Sequence, residues 1–277
     1  MGNTRKNTQK AYKNQGVFYI EKTRKNSFKN LWQKIFRFLF FKDIFLSIKG
    51  FLKKENTMEK TNSKNILFDL DGTILDTLPD LFVSANYALK KLGFPEQTFE
   101  DVRRAIGHGI RNLLRDLMKC NDTDTLEKCR MIFKDYYDKN KAVHTRPYDG
   151  MIELVQRLKS QGNKVFVISN KYDDAAKALV YNFYGDMFDG VYGSRDNILP
   201  KPDRAIFDIV VEENSLNPSD CIYVGDSEVD REFAENTGMD FVAVCWGFRT
   251  EEELRKCGAK TIVSDIYSLE NELEKLM

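Results

Sequence analysis

Histidine is nearly absent, with only His108 and His144 in 277 residues. This argues against imidazole-rich zinc sites and gives a His-based nucleophile triad little support. The five cysteines, Cys120, Cys129, Cys221, Cys245 and Cys257, are widely spaced and form no CxxC pair. They encode neither a metal knuckle nor a disulfide scaffold, and a reducing cytoplasm suits them best. A long unbroken apolar run is also missing. Residues 31–52 come nearest, but Lys34, Arg37, Lys42, Asp43 and Lys49 interrupt them, whereas a span needs about 20 mostly apolar residues. The expectation is no transmembrane segment. No small-residue cleavage site follows the apolar part, so no signal peptide is read there, and Lys6 stands where a myristoylation motif wants Ser or Thr.

What is present is an uneven distribution of charge. The net charge of +1 conceals a basic stretch, residues 1–57, with fourteen Lys and Arg against three Asp and Glu, and an acidic remainder with 29 against 39. By charge the remainder is no nucleic-acid binder. Residues 31–52 are basic and aromatic enough to lie on an anionic membrane surface. The plainer reading takes residues 1–57 as an N-terminal extension, either a disordered tail or an overlong gene start, with Met58 the natural first residue.

From residue 64 onward, short apolar runs alternate with amphipathic stretches, the pattern of an α/β fold in which helices cover a Rossmann-like parallel sheet. Strands are expected at 66–70, 165–169, 190–192, 221–225, 241–244 and 261–263. The 42% hydrophobic content is ample for a core. Roughly ninety residues separate the first two strands, far more than an ordinary crossover, so something is inserted. Leu78, Leu81, Phe82, Ala85, Leu89 and Leu92 share one helical face, Ile110, Leu113, Leu114 and Leu117 share another, and a third helix is expected near 125–139. The expected division is a core of 64–77 and 148–277 and a helical cap of 78–147.

The first strand, in "NILFDLDGTILDT", ends in two acids, Asp69 and Asp71, followed by Gly72. Taken alone, Asp-Gly is a common turn. Three further stretches change that weighting. "VFVISNK" ends a strand in Ser169, Asn170 and Lys171, "LPKPDRAIF" sets Lys201 before a proline and a helix, and "IYVGDSEVD" ends a strand in Asp226 with Asp230 four residues on. In open α/β sheets, ligands bind beyond the carboxyl ends of the strands, where these residues fall.

In these four motifs and their order, residues 64–277 resemble the haloacid dehalogenase superfamily of phosphohydrolases. The resemblance implies Asp69 as nucleophile, forming an aspartyl-phosphate, and Asp71 as general acid and base. It implies Lys201, Ser169 and Asn170 on the phosphate, with Lys201 also holding the nucleophile. Mg²⁺ would be held by Asp69, the backbone carbonyl of Asp71 and Asp226, with Asp230 behind them. For Asp230 a first-turn helix acid is an equal alternative. Lys171 is left without a role. The superfamily's dehalogenases lack the second acid, so Asp71 favours a phosphatase.

"IGHGIRNLLRDLM" and "DGTILDTLPDL" resemble phosphoglycolate phosphatases in particular, which makes 2-phosphoglycolate the first candidate among small phosphorylated metabolites. In the cap, His108, Gly109 and Arg111 are expected to face the site, and one or two of Arg103, Arg104, Arg111 and Arg115 to reach a second anionic group. A pyrophosphatase, a nucleotidase and a mutase of the β-phosphoglucomutase kind are the alternatives. A binding protein without turnover is disfavoured by the complete set of catalytic residues.

Overall fold

The computed structural model describes residues 63–277. The expectations for residues 1–57, including a membrane-surface helix at 31–52, lie outside the described residues.

Strand β1 (Asn65–Phe68) is the centre of the molecule. Ile66, Leu67 and Phe68 are apolar because both faces are covered, as a central parallel strand requires. It pairs in parallel with β4 (Lys164–Tyr172) on one side, Ile66 opposite Val165, and with β6 (Cys221–Gly225) on the other, Ile66 opposite Ile222. β5 (Gly190–Ser194), β7 (Asp240–Val244) and β8 (Ile262–Val263) complete a six-stranded sheet of order β5-β4-β1-β6-β7-β8, parallel throughout. The two-residue period of the strands sorts their side chains. Ile66, Phe68, Val165, Val167, Ile222 and Val224 face a layer formed by α5 (Met151–Ser160), α6 (Asp173–Tyr184) and α10 (Ile266–Leu276). Leu67, Phe166, Ile168 and Tyr223 face α7 (Ala205–Asn214) and α8 (Glu228–Thr237) on the other side. A short helix, α9 (Glu251–Lys256), packs Leu254 beneath β7.

All six expected strands are present, 221–225 with the expected bounds and the other five with shifted ends. β1 stops at Phe68 rather than residue 70, because the Leu70 carbonyl turns to accept from the Ile74 and Leu75 N–H groups at 3.2 and 3.0 Å. Both acids therefore stand on the loop beyond the strand. β4 continues to Tyr172 through an irregular register between Ile168 and Tyr172.

The insertion carries four helices: α1 (Leu78–Lys91), α2 (Phe99–Ala105), α3 (Ile110–Met118) and α4 (Thr123–Asn140). Leu81, Ala85, Leu89, Leu113, Leu117 and Phe133 form its own apolar core, which Phe248 enters from the loop after β7. Its two ends meet in a small antiparallel ladder missing from the sequence expectation, β2 (Leu75–Asp76) against β3 (Arg146–Pro147). Two residues are too few to show an alternating pattern. α2 was also unexpected, although its capping box, Thr98 with Asp101, was legible as T-x-x-D. Among the described residues, no helix is long and apolar enough to cross a membrane.

Candidate active site

One cleft gathers residues from the loops after β1, β6 and β7, the end of β4, the segment before α7, and the helical insertion. Asp69 is anchored by its own N–H donating to the Val224 carbonyl at 2.9 Å, so the strand pairing continues just far enough to hold it. Gly72 has φ +84°, and a side chain there would run into the Asp226 carboxylate. Only glycine lets this loop fold against Asp226.

Lys201 is buried and spends all three of its protons on fixed acceptors: Asp69 Oδ1 at 2.8 Å, the Tyr223 hydroxyl at 2.7 Å and Asp230 Oδ1 at 2.7 Å. Burial pulls its ammonium down, but Asp230 and Asp69 outweigh this and hold it above the usual lysine range. Asp69 behaves in the opposite sense. Burial raises it to about 7, against the lowering effect of Lys201, and Asp230 adds to the rise. Its Oδ2 accepts no hydrogen bond from any described residue.

Asp226 is held by two donors, Thr73 Oγ1 to Oδ1 at 3.1 Å and the Phe248 N–H to Oδ2 at 2.6 Å. Burial, then Asp230 and Asp69, push its carboxyl well above the ordinary range. Asp230 is the first-turn helix acid of the sequence reading, and it also reaches Lys201. It is the N3 acid of the α8 capping box, taking the Ser227 hydroxyl at 2.6 Å and two backbone N–H groups on Oδ2, and on Oδ1 it binds Lys201 and Tyr223.

Asp71 is clamped from two sides, by Thr77 Oγ1 at 2.7 Å and by Lys171 Nζ at 2.8 and 3.1 Å. The sequence assigned Lys171 no role. Its ammonium is held above the normal range because Asp71 outweighs the burial that would lower it. Ser169 is buried, and its hydroxyl accepts the Lys171 N–H at 3.2 Å while its own proton has no acceptor among the described residues. Asn170 is tied up instead. Its side chain bridges the Lys201 N–H and carbonyl and the Gly107 carbonyl of the insertion, so it braces the Lys201 segment against the cap.

Carboxylate oxygens of Asp69, Asp226 and Asp230 lie within 4.8 Å of one another. Hard oxygen donors of this kind fit a divalent cation such as Mg²⁺. Asp69, with an oxygen that accepts no hydrogen bond, and Asp226, with one donor on each oxygen, keep more room for a cation than Asp230, which takes three donors on Oδ2 and two on Oδ1. The Asp71 carboxylate is engaged as well, which leaves it the backbone carbonyl.

The cap expectations need correction. Gly109 lines the cleft. His108 does not: it is exposed, 4.0 Å from Glu228 at the rim. Arg111 is exposed too, because the apolar face of α3, with Leu113, Leu114 and Leu117, points inward and carries the arginine out. Arg104 pairs with Glu100, and Arg115 with Asp116. Arg103 binds Glu100 and the Phe248 carbonyl. None of these arginines lines the cleft, but Arg249, which was not anticipated, does. It is buried and donates to the Ile106 carbonyl at 2.9 Å, the Arg103 carbonyl at 3.2 Å and both oxygens of Glu228. An arginine in a loop of no recognisable motif gave no sequence signal.

Known proteins place this arrangement. The profile of the family described as haloacid dehalogenase-like hydrolase matches residues 66–244. Phosphoglycolate phosphatase of Aquifex aeolicus is 32% identical over 189 residues, 66% of this chain and 85% of its own. That of Nitrosospira multiformis is 30% identical over 224 residues, 76% of this chain and 96% of its own. The solved structure of a predicted phosphoglycolate phosphatase from Haemophilus somnus 129PT superposes with a TM-score of 0.72 at 26% identity, covering 79% of this chain and all of that one. With four motifs gathered at one sheet edge beneath a helical insertion, the chain belongs to the haloacid dehalogenase-like hydrolases and is an enzyme of their phosphatase kind.

Proposed function

We propose that the protein is a Mg²⁺-dependent phosphatase of a small phosphate monoester, with 2-phosphoglycolate the first candidate, acting through an aspartyl-phosphate on Asp69. One observation carries the reading: two carboxylates two residues apart face a single cleft, one held by Lys201 and the other by Lys171 and Thr77. Their different partners suit them to different tasks.

A carboxylate oxygen of Asp69 attacks phosphorus while the bond to the leaving oxygen breaks, and Asp71 delivers a proton to that leaving oxygen. Asp71 then takes a proton from water. The water oxygen attacks the phosphoryl group, phosphate leaves, and the Asp69 carboxylate is restored. Ser169 donates its spare proton to a phosphoryl oxygen, and Lys201 keeps Asp69 oriented as its charge changes. A cation held by Asp69, Asp226 and the Asp71 carbonyl would offset the negative charge where carboxylate and phosphate meet.

The helical insertion acts as a cap that excludes water from this step. Leu81, Ile106, Leu113 and Phe133 line the cleft from the insertion, which suits a small leaving group. The relatives named as phosphoglycolate phosphatases support the same choice. All five cysteines are free, which suits a cytoplasmic location.

Phosphate release from a panel of esters with MgCl₂ tests this. Asp69→Asn is expected to lower it by at least about 10³-fold while the circular dichroism spectrum stays that of the wild type. A variant as active as the wild type would rule out Asp69 as the nucleophile.

A further inference from the structure

Three buried side-chain polar atoms have no hydrogen-bond partner among the described residues: the Tyr137 hydroxyl, Asn163 Nδ2 and Arg231 Nε. Of these residues only Tyr137 lines the cleft. It sits near the end of α4 and is 4% exposed, in the company of Leu81, Ile110, Leu113 and Phe133. These neighbours offer its hydroxyl nothing, and the one polar group close to it, the Lys171 ammonium, can only donate, so the hydroxyl's own proton has no acceptor among the described residues. Buried polar groups are seldom left unpaired, and one left so at a cleft wall points to a partner that arrives from outside.

The position of this hydroxyl indicates which part of a substrate it meets. Lys171 Nζ lies 4.8 Å from the centroid of the Tyr137 ring and 2.8 Å from Asp71 Oδ1. The Tyr137 ring and the Asp71 carboxylate thus share one ammonium. Asp71 serves the leaving oxygen in the reaction above, so Tyr137 borders the leaving group and not the phosphoryl group, whose contacts are Asp69, Ser169 and Lys201. Burial lifts the hydroxyl to about 12, with Lys171 opposing the rise, so it remains a donor at any working pH.

We propose that Tyr137 is a specificity residue whose hydroxyl donates a hydrogen bond to an acceptor oxygen on the leaving group, the carboxylate in the case of 2-phosphoglycolate. This rests on the phosphatase reading and deepens it: the enzyme selects esters whose leaving group bears an oxygen close to the scissile bond. An ester lacking that oxygen leaves the hydroxyl buried and unpaired, which penalises the wrong substrate as well as favouring the right one.

Tyr137→Phe removes the hydroxyl and keeps the ring. Each acceptor-bearing ester of the panel is paired with an analogue lacking the acceptor, beginning with 2-phosphoglycolate and ethyl phosphate. The wild type is expected to prefer the acceptor-bearing member. In the variant, kcat/KM on that member falls about 10- to 100-fold, the range for one hydrogen bond to a charged group, whereas the analogue is turned over as before. The Tm of the free variant changes little, since the proton it loses has no acceptor in the fold. Equal losses on both members, no loss on either, a wild type indifferent to the acceptor, or a lowered Tm would each overturn the proposal. Absence of phosphate release by the wild type from every ester would instead bring down the phosphatase reading, and this inference with it.

Discussion

Asp69 is held in a balance that a bound cation would tip. Buried beside Asp226 and Asp230 with Lys201 as its one cationic partner, its folded value of about 7 stands above the unfolded 3.8. The protonated form therefore favours the fold. This contribution is complete below the unfolded value and is lost as pH rises through about 7. A divalent cation competes with the same proton and binds the ionised form. Added MgCl₂ is accordingly expected to raise the Tm more at pH 8 than at pH 5, measured by differential scanning fluorimetry against CaCl₂-free, chelator-treated protein. Equal increments at the two pH values would contradict the assignment of Asp69 as a ligand.

The loop after β7 joins the sheet to the insertion. The Phe248 N–H holds the Asp226 carboxylate, its carbonyl takes the Arg103 guanidinium, and its ring enters the apolar core of the insertion. The next residue, Arg249, meets the carbonyls of residues 103, 104 and 106, where α2 ends. Those carbonyls have no partner within the helix, and a cation is favoured there. Burial works against the charge on Arg249, but Glu228 outweighs it. Arg249→Met keeps much of the bulk and removes these bonds. The expected result is KM raised by about tenfold with kcat little changed, since the loss of a few buried hydrogen bonds frees the cap without touching Asp69 or Asp71. Faster amide exchange over residues 99–106 should accompany it. A fall in kcat with KM unchanged would contradict a docking role.

For the whole molecule, the four motifs, both faces of the sheet and the capped cleft all fall within residues 63–277. A protein shortened to begin at Met58 is expected to keep phosphate release within about twofold of the full chain, as a domain with its own core should. A larger loss would show that residues 1–57 take part in the activity. Sedimentation of both forms with anionic liposomes separately tests the membrane-surface reading of residues 31–52: only the full chain should sediment if that reading holds.

Much of this architecture is local and so could be read along the chain. Six apolar runs identified six strands, the gap after the first exposed the insertion, and short motifs located Asp69, Asp71, Ser169, Lys201, Asp226 and Asp230. Periodicity and strand-end residues are short-range properties, set by what one segment must bury. The partnerships between these residues are not. Lys171 meets Asp71 across 100 positions, Lys201 meets Asp69 across 132, and Arg249 meets Ile106 across 143. No local pattern announces such pairs, because each depends on where two separate elements come to rest. For the same reason His108 and Arg111, plausible as basic residues beside a motif, turn outward once α3 buries its leucines. Tyr137, one aromatic among many in an amphipathic helix, gains its unpaired hydroxyl only when the insertion closes over the sheet. The sequence by itself determined the sheet, the insertion and the acids that end its strands. Only the tertiary structure decided how those acids are held and which hydroxyl of the cleft wall is buried without an acceptor for its proton, because side-chain partnership follows from packing and not from order along the chain.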